Sequence, residues 1–233
     1  MSREAILAQI RASLGTRASR GAPDTERRTA IEARLAHPPS PLLPERARLP
    51  APERIAQFES LLGAQGTGIL AAAGRAQIPA AIAAYLRAGD LPLRLRKGAD
   101  PFLASLPWTT AGDLNMSQDG PAEPEDQVGL SRAIAGVAET GTLVLASGAD
   151  NPVTLAFLPE THIVVLAKSA IVGSYEDAMQ LVAAELSSQE KPGQMPRTLN
   201  LITGASRTGD IGGRIVMGAH GPRRLAVVIV DEV

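Results

Sequence analysis

H-I-V-V-L-A (162–167) and L-A-V-V-I-V (225–230) are the two stretches that decide the fold. Each is apolar at nearly every consecutive position and rich in β-branched residues. An extended chain sends successive side chains to opposite faces, so an unbroken apolar run needs cover on both sides. That is the pattern of central strands in a parallel or mixed sheet flanked by helices, and it places the chain in the α/β class.

Other segments extend the pattern in both directions. T-L-V-L-A (142–146) and the run from Thr198 to Thr203 read as two further strands of the C-terminal half. A helix from Tyr175 to Leu186, with Ser174 as its N-cap, separates the second and third of these four. Upstream, Ile55, Phe58, Leu61 and Leu62 follow helical spacing, ended by Gly63 and Gly66. A strand over Gly68–Ala72, a helix from about Ala76 to Ala88 and a strand over Leu91–Leu95 follow. Residues 98–127 carry Pro107, Trp108, Pro121 and Pro124 and read as irregular, a lid or a surface excursion.

Before Pro52 the character changes. Residues 1–51 read as an N-terminal arm and 52–233 as the α/β domain. Ser2–Leu14 is a short amphipathic helix with Ile6, Ile10 and Leu14 on one face and Gly15 to close it. Arginines and prolines then dominate, with one helical piece from Asp24 to Ala36 before Pro38, Pro39 and Pro41 stop it. Such an arm is either a solvated linker or a strap that wraps a partner subunit.

Composition removes several functions. Of the 233 residues, 45 % are apolar but only three Phe, two Tyr and one Trp are aromatic, so aliphatic side chains must fill the core. A net charge of −1 gives no global signal for nucleic acid. Cysteine is absent, which excludes a thiol nucleophile, zinc–thiolate sites and iron–sulfur clusters held by thiolates in this chain. No apolar run approaches the roughly 20 residues that span a bilayer, and polar residues interrupt the first helix, so no signal peptide is read and a cytoplasmic location is expected.

Chemistry concentrates in loops beside the strands. Ala138-Glu139-Thr140-Gly141-Thr142 offers a carboxylate and two hydroxyls around a glycine. It reads either as a ligand-facing turn or as threonines bonding their own backbone. Glu160-Thr161-His162 puts an imidazole where a loop enters a strand, either a general acid–base or a satisfied structural donor. Thr203-Gly204-Ala205-Ser206-Arg207-Thr208-Gly209-Asp210 follows a strand and is expected to open a helix. Backbone N–H groups, the Ser206 and Thr208 hydroxyls and the Arg207 guanidinium would converge there on a carboxylate or phosphate. Gly204 and Gly209 have P-loop spacing, but Asp210-Ile211 stands where that motif needs Lys-Ser/Thr, which disfavours nucleoside triphosphate hydrolysis. Gly218-Ala219-His220-Gly221-Pro222 turns into the last strand. No HxH or HExxH spacing marks a metal site.

Taken in order, A-E-T-G-T-L-V-L (138–145), L-P-E-T-H-I-V-V (158–165), T-G-A-S-R-T-G-D-I (203–211) and G-A-H-G-P-R-R-L (218–225) resemble the LUD-domain family. Ala205 and Gly209 depart from the proline and alanine usual in its third motif. The resemblance implies a fold similar to the NagB/RpiA/CoA-transferase group. It also implies an accessory or substrate-handling role in oxidising L-lactate to pyruvate, with iron–sulfur clusters in partner proteins and no cofactor on this chain. On that view Arg207, Ser206 and Thr208 hold a carboxylate, with Gly204 and Asp210 in the same loop and Thr140, Gly141 and Thr142 nearby. Glu139 or His162 would then lie beside the hydroxyl carbon. Two alternatives stay open: a self-sufficient CoA transferase or sugar-phosphate isomerase, with Glu139 as a carboxylate nucleophile in the former, and a non-catalytic assembly factor.

Overall fold

The two continuous apolar runs lie side by side as parallel strands, paired from Leu225 with His162 to Val230 with Ala167. The computed structural model describes residues 2–18, 24–37, 42–117, 119–187, 196–209 and 212–232. Contacts divide the chain into Met1–Leu42 and Leu43–Val233.

The first unit consists of helices α1 (Arg3–Ala18) and α2 (Asp24–Ala36). α1 continues through Gly15 instead of ending there. Ile6 and Ile10 on α1 and Ile31 and Leu35 on α2 are exposed.

In the second unit α3 (Ala51–Ala64) leads to β1 (Gly68–Gly74), α4 (Ile78–Ala88) and β2 (Arg94–Lys97). The span read as irregular contains α5 (Pro101–Ala104) and β3 (Asn115–Met116). Next come β4 (Val128–Arg132), β5 (Ala135–Val137), β6 (Thr142–Ala146), β7 (Thr161–Ala167) and β8 (Ile171–Val172). α6 (Tyr175–Ser187), β9 (Leu199–Ile202), β10 (Arg207–Thr208), β11 (Val216–Met217) and β12 (Arg224–Glu232) complete the chain. Residues 43–51, assigned from sequence to the arm, belong to this unit: Ala47 is buried, and its carbonyl lies where a side chain on Gly173 would have to sit.

Six strands form an all-parallel sheet in the order β1-β12-β7-β4-β2-β3. Four others form a smaller mixed sheet, β8-β5-β6-β9. Alternation along the central strands explains the layering. Ile163, Val165, Ala226, Val228 and Val230 face a core built with Ile78, Ile82 and Leu86 of α4. Val164, Leu166, Leu225, Val227 and Ile229 face a second core with Phe58 and Leu62 of α3 and Leu143 and Leu145 of the small sheet. The outer face of the small sheet packs Ala135, Val137 and Val144 on Ala178 and Val182 of α6. Ser174 and Asp177 cap that helix reciprocally: the Asp177 N–H donates to Ser174 Oγ (3.1 Å) and the Ser174 N–H to Asp177 Oδ2 (3.3 Å).

His162 belongs to this packing. It is fully buried, with Nε2 2.9 Å from Ser131 Oγ and Nδ1 unpartnered. Burial disfavours the imidazolium and lowers its pKa to about 3. The expectation of a general acid–base at His162 is therefore corrected: the ring is sealed in the sheet interior, away from any ligand that solvent can deliver.

Two predictions follow from these layers. Because each core is separately close-packed, Ile163→Ala and Leu166→Ala should each cost about 2–5 kcal/mol in urea unfolding, although they point to opposite faces. An effect confined to one of them would mean that one face is not sealed. For His162 the folded pKa lies below the unfolded value near 6.5, so its contribution is intact above that pH and lost as pH falls toward 3. Relative to His162→Gln, the wild-type protein should lose ~1.4 kcal/mol per pH unit across that window. Parallel stability–pH curves for the two proteins would contradict the burial.

Candidate functional site

The 138–142 turn is held from several directions. The Ala138 N–H donates to Val172 O (2.8 Å), the Glu139 N–H to Gly173 O (3.1 Å), and Gln57 Nε2 donates to Ala138 O (2.8 Å). Gly141 has φ +66°, and a Cβ there would come within 2.8 Å of the Leu62 backbone nitrogen. Glycine thus lets the turn lie directly on α3. The Glu139 carboxylate is nearly buried and sits 3.6 Å from Arg46 Nη2, an ion pair with the 43–50 segment.

The threonines form a cluster of hydroxyls. Thr140 Oγ1 lies 2.7 Å from Thr142 Oγ1, and both lie 3.0 Å from Tyr175 Oη. Thr142 Oγ1 is also 2.7 Å from Thr203 Oγ1. Thr142 is fully buried, and its hydroxyl is satisfied within this cluster. Their effect is positional: they tie the start of β6 and the first turn of α6 to the end of β9, one residue before Gly204.

Beyond Gly204 the chain does not open a helix. Arg207 and Thr208 form β10, paired antiparallel with Met217 and Val216 of β11. The expected helix N-terminus is thus replaced by a hairpin, and any anion site here must rely on side chains and turn amides. Asp210 lies outside the described residues. Thr208 is engaged in the hairpin ladder and does not line the adjoining cleft.

That cleft has a volume of about 390 Å³. Five consecutive residues, Leu199 to Thr203, line its length, Phe157 stands on one wall, and Ser206, Arg207 and His220 form a polar corner. Gly204, at φ +110°, brings the chain against Gln65, and Arg207 Nη2 donates to the Gln65 carbonyl. The Ser206 N–H donates to Pro222 O (2.9 Å), and its carbonyl accepts from the Gly218 N–H (2.9 Å). Ser206 Oγ accepts from the His220 N–H at 3.3 Å, which leaves its own proton to donate. A guanidinium has five N–H donors, so Arg207 retains capacity beyond the Gln65 contact.

The structure therefore brings Gly204, Ser206 and Arg207 together, adds His220, and leaves Glu139 and His162 off the cleft. His220 and Phe157, not among the substrate-binding residues expected from the sequence, also line the cleft. The G-A-H-G-P turn signalled a tight loop, but its approach to Ser206 depends on hydrogen bonds between segments distant in sequence.

Comparison with known proteins identifies the family. The LUD domain model matches residues 125–230, which contain every residue of the cleft. A "Lactate utilization protein C" of Geobacillus sp. (strain WCH70) is 36% identical over 105 residues, 45% of this chain and 42% of that protein. For several such relatives the matched part covers less than half of their length. A protein of the same name from Deinococcus radiodurans is 32% identical over 201 residues, 82% of this chain and 85% of its own. The crystal structure of a duf162 family protein from Deinococcus radiodurans matches with a TM-score of 0.58 and 27% identity, covering 78% of this chain and 99% of that one. With the shared domain spanning the cleft and one relative aligned along most of its length, this chain belongs to the LUD-domain family.

Proposed function

We propose that this chain is a substrate-handling component of L-lactate oxidation to pyruvate that works with iron–sulfur partner proteins. The observation that carries the reading is the corner of Ser206, Arg207 and His220, in a chain whose relatives are named for lactate utilization. Lactate presents one carboxylate and one hydroxyl on adjacent carbons. A guanidinium suits the carboxylate, and the Ser206 hydroxyl and the exposed His220 ring suit the second oxygen.

Oxidation of lactate removes two electrons and two protons. A chain without cysteine holds no thiolate-bound cluster, so on this reading the electrons pass to a partner. Glu139, paired with Arg46 and absent from the cleft lining, gives little support to the carboxylate-nucleophile alternative. Among the described residues no helix is long and apolar enough to cross a membrane.

The test is direct. Titration of the purified chain with L-lactate by NMR should show shifts centred on Ser206, Arg207 and His220. Arg207→Gln should weaken binding about 10- to 100-fold, the loss of one charge-assisted contact worth roughly 1.5–3 kcal/mol. Reconstituted lactate oxidation should need both this chain and the cluster-bearing partners, and should fall with the same variant. Complete oxidation by this chain alone, without added cofactor, would overturn the assignment.

A further inference from the structure

Among the described residues β9 is the terminal strand of the small sheet, paired on one side only, with β6. Antiparallel ladders alternate between residues that bond inward and residues whose N–H and C=O point away. The Ser147 N–H donates to Thr198 O, so Thr198, Asn200 and Ile202 face β6, and Leu199 and Leu201 present their backbone groups outward. The cleft is lined by all of Leu199 to Thr203 in succession. A sheet face would contribute only alternate residues, so it is the open edge of β9 that borders the cleft. Apolar surface accompanies it: Leu201 is 51% and Phe157 47% exposed.

We infer that this edge receives an extended, acidic segment of a partner protein, which adds a strand alongside β9. Main-chain bonds to Leu199 and Leu201 would give affinity, and an apolar side chain between Leu201 and Phe157 would set register. Charge identifies the partner. Exposed Arg197 precedes the strand, and Arg207 and His220 stand at its far end. Two copies joined edge to edge in antiparallel fashion would bring Arg197 of each against Arg207 of the other, a like-charge contact. An acidic segment has the complementary charge at both ends. The inference goes beyond lactate handling and rests on the strand edge and the charges at its two ends. It shares the Arg207 corner with that reading, so lactate binding and segment binding are measured separately.

The test uses the full chain and a short fluorescein-labelled peptide of alternating threonine and valine with two aspartates at each end. Fluorescence anisotropy should show saturable binding that weakens with salt. The same peptide N-methylated throughout its core should bind at least tenfold more weakly, because it has lost its main-chain donors. Leu201→Pro removes an outward N–H and leaves the bonds to β6, so it should cause a similar loss. The N-methylated peptide on wild-type protein keeps the test decisive if that variant fails to fold. Absence of saturable binding, or equal binding of the methylated peptide, would overturn the proposal. So would a dimer in sedimentation that Leu201→Pro dissociates, since a second copy would then own the edge.

Discussion

Burial of β7 and β12 on both faces is the constraint on which the rest of the structure depends. Every side chain from Ile163 to Leu166 is almost completely removed from water, as is each from Ala226 to Val228. Burying a valine, leucine or isoleucine stabilises by about 1.5–3 kcal/mol relative to exposure, but only if a neighbour covers it. One cover is α4. The other must reach across the opposite face, and α3 with the small sheet supplies it. The small sheet is therefore a requirement of the core before it is a platform for any site.

That requirement explains how the cleft is held. The inner face of β9 contributes Ile202 to the second core, and its outer face contributes Leu199 to the packing against α6. The hydroxyl cluster of Thr140, Thr142, Tyr175 and Thr203 then pins the strand's exit. Gly204 turns immediately afterwards, so Ser206 and Arg207 follow a clamped strand within a few residues. Rigid elements place polar groups more accurately than loops do.

Elements whose burial is self-evident in local composition were legible from sequence. β6 and α2 occupy the bounds expected for them, β7 begins one residue early, and Ser174 caps α6 as anticipated. β4 and β5 escaped notice because each contains a glycine that reads as a breaker. At Gly129 a Cβ would meet Leu155 O at 2.5 Å, and at Gly136 it would meet Leu166 and Phe58 at 2.9 Å. These glycines permit close approach between layers, a property of the assembled fold. β2 was displaced because Arg96 and Lys97 look exposed. Their burial depends on Asp126 (3.3 Å) and Asp119 (2.6 Å), partners whose position the local pattern cannot reveal. At the site, Ser206, Arg207 and the glycine turns were legible as residue types. The hairpin that replaces a helix, and the arrival of His220, were not.

The same logic distinguishes the cleft from the place where parallel sheets most often bind ligands. That place is the crevice beyond the carboxyl ends of the strands, where neighbouring connections diverge. Here it falls between β2 and β4, whose chain continuations run in opposite directions across the sheet. The crevice is occupied by protein. The 148–152 loop closes on Gly98, where an added Cβ would meet Asp150 O and Pro152 Cδ. Arg132 is spent on Asp100 (2.8 Å) and Glu185 (3.6 Å), and Lys97 on Asp119. Desolvation, with Asp100 close by, raises the Asp150 pKa, which marks a crowded acidic neighbourhood unfavourable to an incoming anion. The polar corner beside β9 has the opposite character: hydroxyl, guanidinium and imidazole border open space, without a carboxylate among the described residues lining it. The candidate cleft therefore lies beside the small sheet, whose clamped strand keeps one edge open among the described residues.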